Sequence, residues 1–257
     1  MKKRTMKLVI LFALLLIGIA VPTTVFAADP IPGISFDIGN AEGAEGATNT
    51  ITLILIITIL SLAPSILIMM TCFTRIVIVL GFVRTSLGTQ QMPPNQVLIG
   101  IALFMTLFVM APTIGEINET AVQPYLKNQL TQTQALGQAA VPLKKFMIAQ
   151  TREKDLLLFL NYSKAQKPAT VLDTPLTALI PAYAISELKT AFQMGFMIFI
   201  PFLVIDMIIA STLMSMGMMM LPPIMISLPF KILLFVLVDG WYLVVKSLLL
   251  SFNAPVS

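Results

Sequence analysis

The chain has 257 residues, 57% of them hydrophobic and only 11% charged, with a mean hydropathy of +0.93. So little charge excludes an ordinary soluble domain. Histidine is absent and Cys72 is the single cysteine, which removes the commonest metal ligand, the commonest general base and any intrachain disulfide; no catalytic residue, metal site or cofactor is expected.

Several apolar runs are about twenty residues long, enough to cross a bilayer core of roughly 30 Å. The fold class that follows is all-α: a polytopic helical membrane protein of kinked helical hairpins with a small extracytoplasmic helical region. Residues 1–27 stand apart. "MKKRTMK" is a basic start, "LVILFALLLIGIA" a short apolar core, and Val25 and Ala27 occupy the −3 and −1 positions of a leader-peptidase site. The segment reads as a cleaved secretory signal with Ala28 as the mature start; the alternative is an uncleaved anchor. The leader holds Lys2, Lys3, Arg4 and Lys7 and no acid, so the remainder carries twelve bases and twelve acids. The pI near 9.2 therefore belongs to the targeting segment and gives no reason to invoke nucleic acid.

Residues 28–49 are rich in Gly, Ala and Pro, with four acids and no base, and read as a flexible arm. The first hydrophobic hairpin spans 50–115. Its first helix, 51–73, contains Pro64, where a kink is expected; its second is 95–115. Arg75 and Arg84 lie between them with the polar loop "SLGTQQMPP". Residues 116–175 turn polar, with seven bases and five acids, and suggest a small helical region in water, including a helix opened by Pro142. Residues 176–252 form the second hydrophobic hairpin, interrupted at Pro181 and Pro201, with a methionine-rich loop at 214–223. A cleaved leader places the start of the mature chain outside, Arg75 and Arg84 inside by the positive-inside rule, and the polar region outside.

Charges in apolar helices are costly and usually pair. Asp206 and Lys231 are equidistant from the methionine loop, and in an antiparallel hairpin turning there they would meet at one depth. Glu187 and Lys246 form a second candidate pair by the same reckoning. A proton or ion relay through Asp206 is the competing reading. In "STLMSMGMMMLPPIM", Met214, Met216, Met218, Met219 and Met220 surround Gly217, and Pro222 and Pro223 follow. Gly and Pro predict a bent connection. Core filling, thioether coordination of Cu(I) by the Met214/Met218 and Met216/Met220 spacings, and a soft apolar pore seal that blocks ions by dewetting all remain open at this level.

Three stretches, "LGTQQMPPNQVLIGIALFMTLFVMAP", "PAYAISELKTAFQMGFMIFIPFLVIDMIIASTLMSMGMMMLPP" and "ISLPFKILLFVLVDGWYLV", resemble the FliP family of bacterial flagellar biosynthetic proteins and its type III secretion relatives. The resemblance covers roughly residues 50–252, and the leader favours the flagellar branch. It implies a protein that is not an enzyme. It implies a pentamer that assembles with FliR and FliQ into a conical export gate in the flagellar basal body at the bacterial inner membrane, working with FlhA and FlhB. Unfolded flagellar subunits would pass through its centre. It also implies that Met218, Met219 and Met220, with Met216 beside them, form a gasket, that the polar region makes lateral contacts between copies, and that the helices form bent hairpins set largely above the membrane plane.

Overall fold

The structure, a computed structural model, describes residues 44–89, 91–163, 171–218 and 220–253. The chain divides into two units, Met1–Ile56 and Ile57–Ser257. The core, the buried ion pairs and the methionine turn all lie in the second. Among the described residues there is no strand. Eight helices carry the fold: α1 (Ala44–Met69), α2 (Phe73–Ser86), α3 (Asn95–Ile117), α4 (Gln132–Gln150), α5 (Glu153–Tyr162), α6 (Leu176–Ser215), α7 (Pro223–Leu237) and α8 (Gly240–Asn253). Helix α1 begins inside the segment expected to be an arm.

Two helical stretches, Asn95–Leu126 and Leu176–Ser215, are long and apolar enough to cross a membrane. Two bent pairs would raise the number to four: Leu53–Met69 of α1 with α2, bent by 67°, and α7 with α8, bent by 63°. Neither of these two bends has a proline at its break. Helix α1 runs through Pro64 and breaks at Met70–Cys72, where the Thr71 hydroxyl donates to the Ile68 carbonyl (2.8 Å) and accepts from the Phe73 N–H (3.4 Å). A side chain that offers the backbone a local alternative ends the helix more effectively than a missing donor does. Helix α6 likewise continues through Pro181 and Pro201 for 40 residues, about 60 Å at 1.5 Å per residue and twice a bilayer core.

Helix α3 continues through a π-helical turn, Asn118–Val122, into Gln123–Leu126, with the Gln123 N–H on the Asn118 carbonyl. Pro124 cannot donate and would crowd the carbonyl four residues back, so the wider turn relieves it. Helix α4 starts ten residues before Pro142, at a capping box: Thr131 Oγ1 accepts from the Gln134 N–H (3.4 Å) and Gln134 Oε1 from the Thr131 N–H (3.0 Å). Two satisfied donors outweigh the start signal of a single proline, and Pro142 sits inside the helix.

Helix α2, "FTRIVIVLGFVRTS", is the central element and packs chiefly on α6. Its Ile76, Val79, Leu80 and Val83 are buried with Leu98 and Ala102 of α3, Ala191 and Phe202 of α6, Phe235 of α7, and Val244 and Leu248 of α8. The α2–α6 contact is close at Gly195: a Cβ there would lie 2.4 Å from the Phe82 ring. Phe82 also meets Phe192 edge-on, with centroids 5.4 Å apart. A smaller cluster of Met70, Met147, Leu179 and Tyr183 fastens the polar region to the start of α6.

The placement of α2 corrects the loop reading of its two arginines. Both lie on a helix, and Arg75 is fully buried. It touches Gln150, the last residue of α4, so it stands at the end of the bundle that carries the polar region. Arg75 therefore stands beside the polar region in the fold. The loop after α2 is held instead by Arg84, which donates to Asn95 and, at 3.4 Å, to the Pro93 carbonyl.

Candidate functional site

The methionine segment is a turn between two long helices, built by its glycine and prolines. At the end of α6 the Gly217 N–H reaches the Met214 carbonyl (3.1 Å) and the Met218 N–H the Leu213 carbonyl (3.0 Å), while Gly217 takes φ = +73°. These are the two bonds of a Schellman motif, with glycine where a left-handed residue is needed. Helix α7 then opens with Pro223 as its first residue, where a missing donor costs nothing. Met214, Met216, Met218 and Met220 are exposed, Met220 at 98% and Met216 at 71%. Met219 lies outside the described residues, as do Ala27 and Ala28 of the leader junction. Because α6 stops at Ser215, Met214/Met218 and Met216/Met220 do not share a helical face, and the geometric basis for a Cu(I) site is lost.

Below the turn, α6 and α7 are clamped together. Lys231 Nζ donates to Asp206 Oδ2 (2.6 Å), and Ser227 Oγ donates to Asp206 Oδ1 (2.5 Å). Ser227 and Lys231 are one helical turn apart and so present both donors on one face. Lys231 is nearly buried, with 4% of its side chain exposed, against 24% for Asp206. With both carboxylate oxygens engaged and the cation buried, removal of either partner leaves a charge in an apolar setting, at a cost of about 3–5 kcal/mol. Gly88 lies against the same hairpin: a Cβ there would be 3.8 Å from Ile224, Leu228 and Lys231 Nζ. The loop after α2 thus approaches the clamp.

Glu187 is not brought to Lys246. It pairs with Arg75, and both side chains are fully buried. Arg75 Nε donates to Glu187 Oε2 (3.0 Å), Nη2 donates to the other Glu187 oxygen and to Gln150 Oε1 (2.9 Å), and Nη1 donates to the Ser251 carbonyl (3.2 Å) and hydroxyl (3.1 Å). The Phe252 ring covers the guanidinium at 4.2 Å. One arginine therefore joins α2, α4, α6 and the end of α8. The Glu187–Lys246 expectation assumed that α7 runs straight into α8. Instead the chain bends at Asp239, whose φ is +51°, and Lys246 lies over the Tyr242 ring, 5.7 Å from its centroid.

A third polar node escaped the sequence reading. Asp155 Oδ2 accepts from Ser186 Oγ (2.6 Å) and from Arg152 Nη2 (2.6 Å), and the Arg152 N–H donates to Ser186 Oγ (3.1 Å). Ser186 and Glu187 are adjacent on α6 and fasten it in two directions, to α5 and to α2. The signal was present in "ISELK", where three of five positions either bond through their side chains or carry charge within an apolar helix.

The architecture is a pair of helices joined by an exposed methionine turn and pinned to each other by a charge clamp near it, with the far end of α6 tied by a second clamp to α2, α4 and α8. Against known proteins, residues 56–248 match the model of the FliP family. The chain is 65% identical over 216 residues to the "Flagellar biosynthetic protein FliP" of Bacillus subtilis (strain 168), covering 84% of this chain and 98% of that protein. It is 50% identical over 234 residues to the protein of the same name from Caulobacter vibrioides (91% of this chain, 88% of that one). It is 46% identical over 230 residues to that of Aquifex aeolicus (89% and 95%). With three quarters of its length matched by the family model and nearly the whole of a relative covered, the chain belongs to the FliP family.

Proposed function

We propose that this chain is a subunit of the flagellar type III protein export gate at the bacterial inner membrane. Five copies, with FliQ and FliR, surround a channel for unfolded flagellar subunits, and FlhA and FlhB act beside them. The observation that carries this reading is the exposed methionine turn. Four large apolar side chains, Met214, Met216, Met218 and Met220, stand uncovered at the tip of a hairpin whose register is held by Asp206 and Lys231. Repeated around an axis, such turns make a ring that water wets poorly and ions do not cross. Unbranched thioether chains can also give way to a polypeptide and close behind it. The flagellar names of the relatives support the export setting.

Replacing Met218, Met219 and Met220 by Ala tests the seal in assembled gates. The expected result is a leak of small ions, read with a membrane-potential dye, while the gate still assembles. A tight membrane with normal motility would count against the seal. Loss of copper-dependent growth with unchanged permeability would point to metal transport instead.

A further inference from the structure

Beyond its salt bridge to Asp155, Arg152 has two nitrogens, Nε and Nη1, that are buried and without a hydrogen-bond partner among the described residues. A guanidinium is a five-donor group, and leaving donors unsatisfied in a buried position is costly. Two more cations converge on it. Lys154, next to Asp155 on the first turn of α5, and Lys189, one turn beyond Ser186 on α6, are both exposed, and the Ser186–Asp155 and Ser186–Arg152 hydrogen bonds bring their two segments together. Of the two acids in this stretch, Glu153 and Asp155, the second already accepts at Oδ2 from Ser186 and Arg152, and three cations stand against them. The cluster therefore has positive charge left over.

Its position on α6 narrows the ligand. From Thr190 to Ile205 the helix carries no charge, a length of about 24 Å. On the face that bears Lys189, Phe192 and Phe196 are exposed at successive turns. A cationic group at the edge of an uncharged, exposed apolar stripe matches a molecule with an anionic head and hydrocarbon tails. We propose that Arg152, Lys154 and Lys189 bind the phosphate headgroup of an anionic phospholipid, whose acyl chains lie along Phe192 and Phe196. The site is independent of the methionine turn and of any export role.

Native mass spectrometry of the full-length protein in detergent, titrated with phosphatidylglycerol or phosphatidylcholine, tests the site. Phosphatidylglycerol is expected to stay bound and phosphatidylcholine to be lost. The Lys154→Gln/Lys189→Gln variant changes only exposed side chains and should weaken phosphatidylglycerol retention by roughly tenfold or more. Phe192→Ser should weaken it without altering the preference between the two lipids. Three results would overturn the proposal: equal retention of both lipids, retention unaffected by the double variant, or displacement of lipid by millimolar inorganic phosphate. Loss of self-association in the double variant with lipid binding intact would also overturn it, and would assign the cations to a carboxylate of another copy.

Discussion

Arg75 and Glu187, 112 residues apart in sequence, are buried on each other with neither side chain exposed, and Gln150, Ser251 and Phe252 close the cage around them. The pair is the point at which four helices are tied. A buried, fully bonded ion pair fixes arrangement more than it adds net stability, but its rupture is severe.

Glu187→Ala should therefore destabilise the folded subunit by about 3–5 kcal/mol. Arg75→Lys should be nearly as harmful, since an ammonium cannot reproduce the planar fork that reaches Glu187, Gln150 and Ser251 together. The check is the thermal unfolding midpoint of purified protein in detergent. If Arg75→Lys unfolds at the wild-type temperature, the fork geometry is irrelevant.

Asp206→Ala should lower the yield of folded protein, because it strands the nearly buried Lys231. Exchanging the two, Asp206→Lys with Lys231→Asp, should recover part of the loss. Size-exclusion profiles of the three proteins decide the matter. An exchange no better than the single change would mean that the pair does not set the register of α6 and α7, and an ion-relay role for Asp206 would regain ground.

Gly195→Ala places a methyl group 2.4 Å from the Phe82 ring, well inside van der Waals contact. Overpacking of this kind costs about 1–3 kcal/mol. Phe82→Ala removes the Cγ and Cδ2 atoms that the methyl group meets, so the double variant is expected to lose less than the two single changes together. Simple additivity of the two losses would show that the contact does not limit the approach of α2 to α6.

Gly217→Ala probes a different cost. The space beside Gly217 is open, so the penalty is that of a positive φ alone, about 1 kcal/mol. Gly217→Asn should cost less, because asparagine tolerates the left-handed region. Chemical denaturation with equal slopes for all three proteins checks the order Gly, Asn, Ala.

The methionine turn and its clamp were legible in the sequence because their determinants are local. Gly217 and Pro222–Pro223 mark the end of one helix and the start of the next. Asp206 and Lys231 flank that turn at short range on helices with no bend between them and it. The Arg75 node was not legible for the opposite reason. It depends on a helix break at Thr71 that hydropathy does not register, and on a bend at Asp239 that swings Lys246 away. Pro142, read as a helix start, and Pro181 and Pro201, read as interruptions, misled in one consistent way, whereas Pro64 was expected inside a helix. Pro64, Pro142, Pro181 and Pro201 all sit inside helices. In apolar surroundings the flanking helix is held by its neighbours, and one missing donor does not end it. Ser186 went unnoticed because its partners, Arg152 and Asp155, come from a separate element brought to it only in the folded chain.

The length of α6 has a mechanical consequence. Glu187, anchored to α2, and Met216, at the turn, are 29 residues apart in sequence, about 43 Å along the axis. A tilt of roughly 10° about the anchored end would carry the far tip sideways by about 7 Å at that span. A small rocking near the polar region would be enlarged at the turn into a displacement comparable to a methionine side chain, with Arg75 as the fulcrum of the lever.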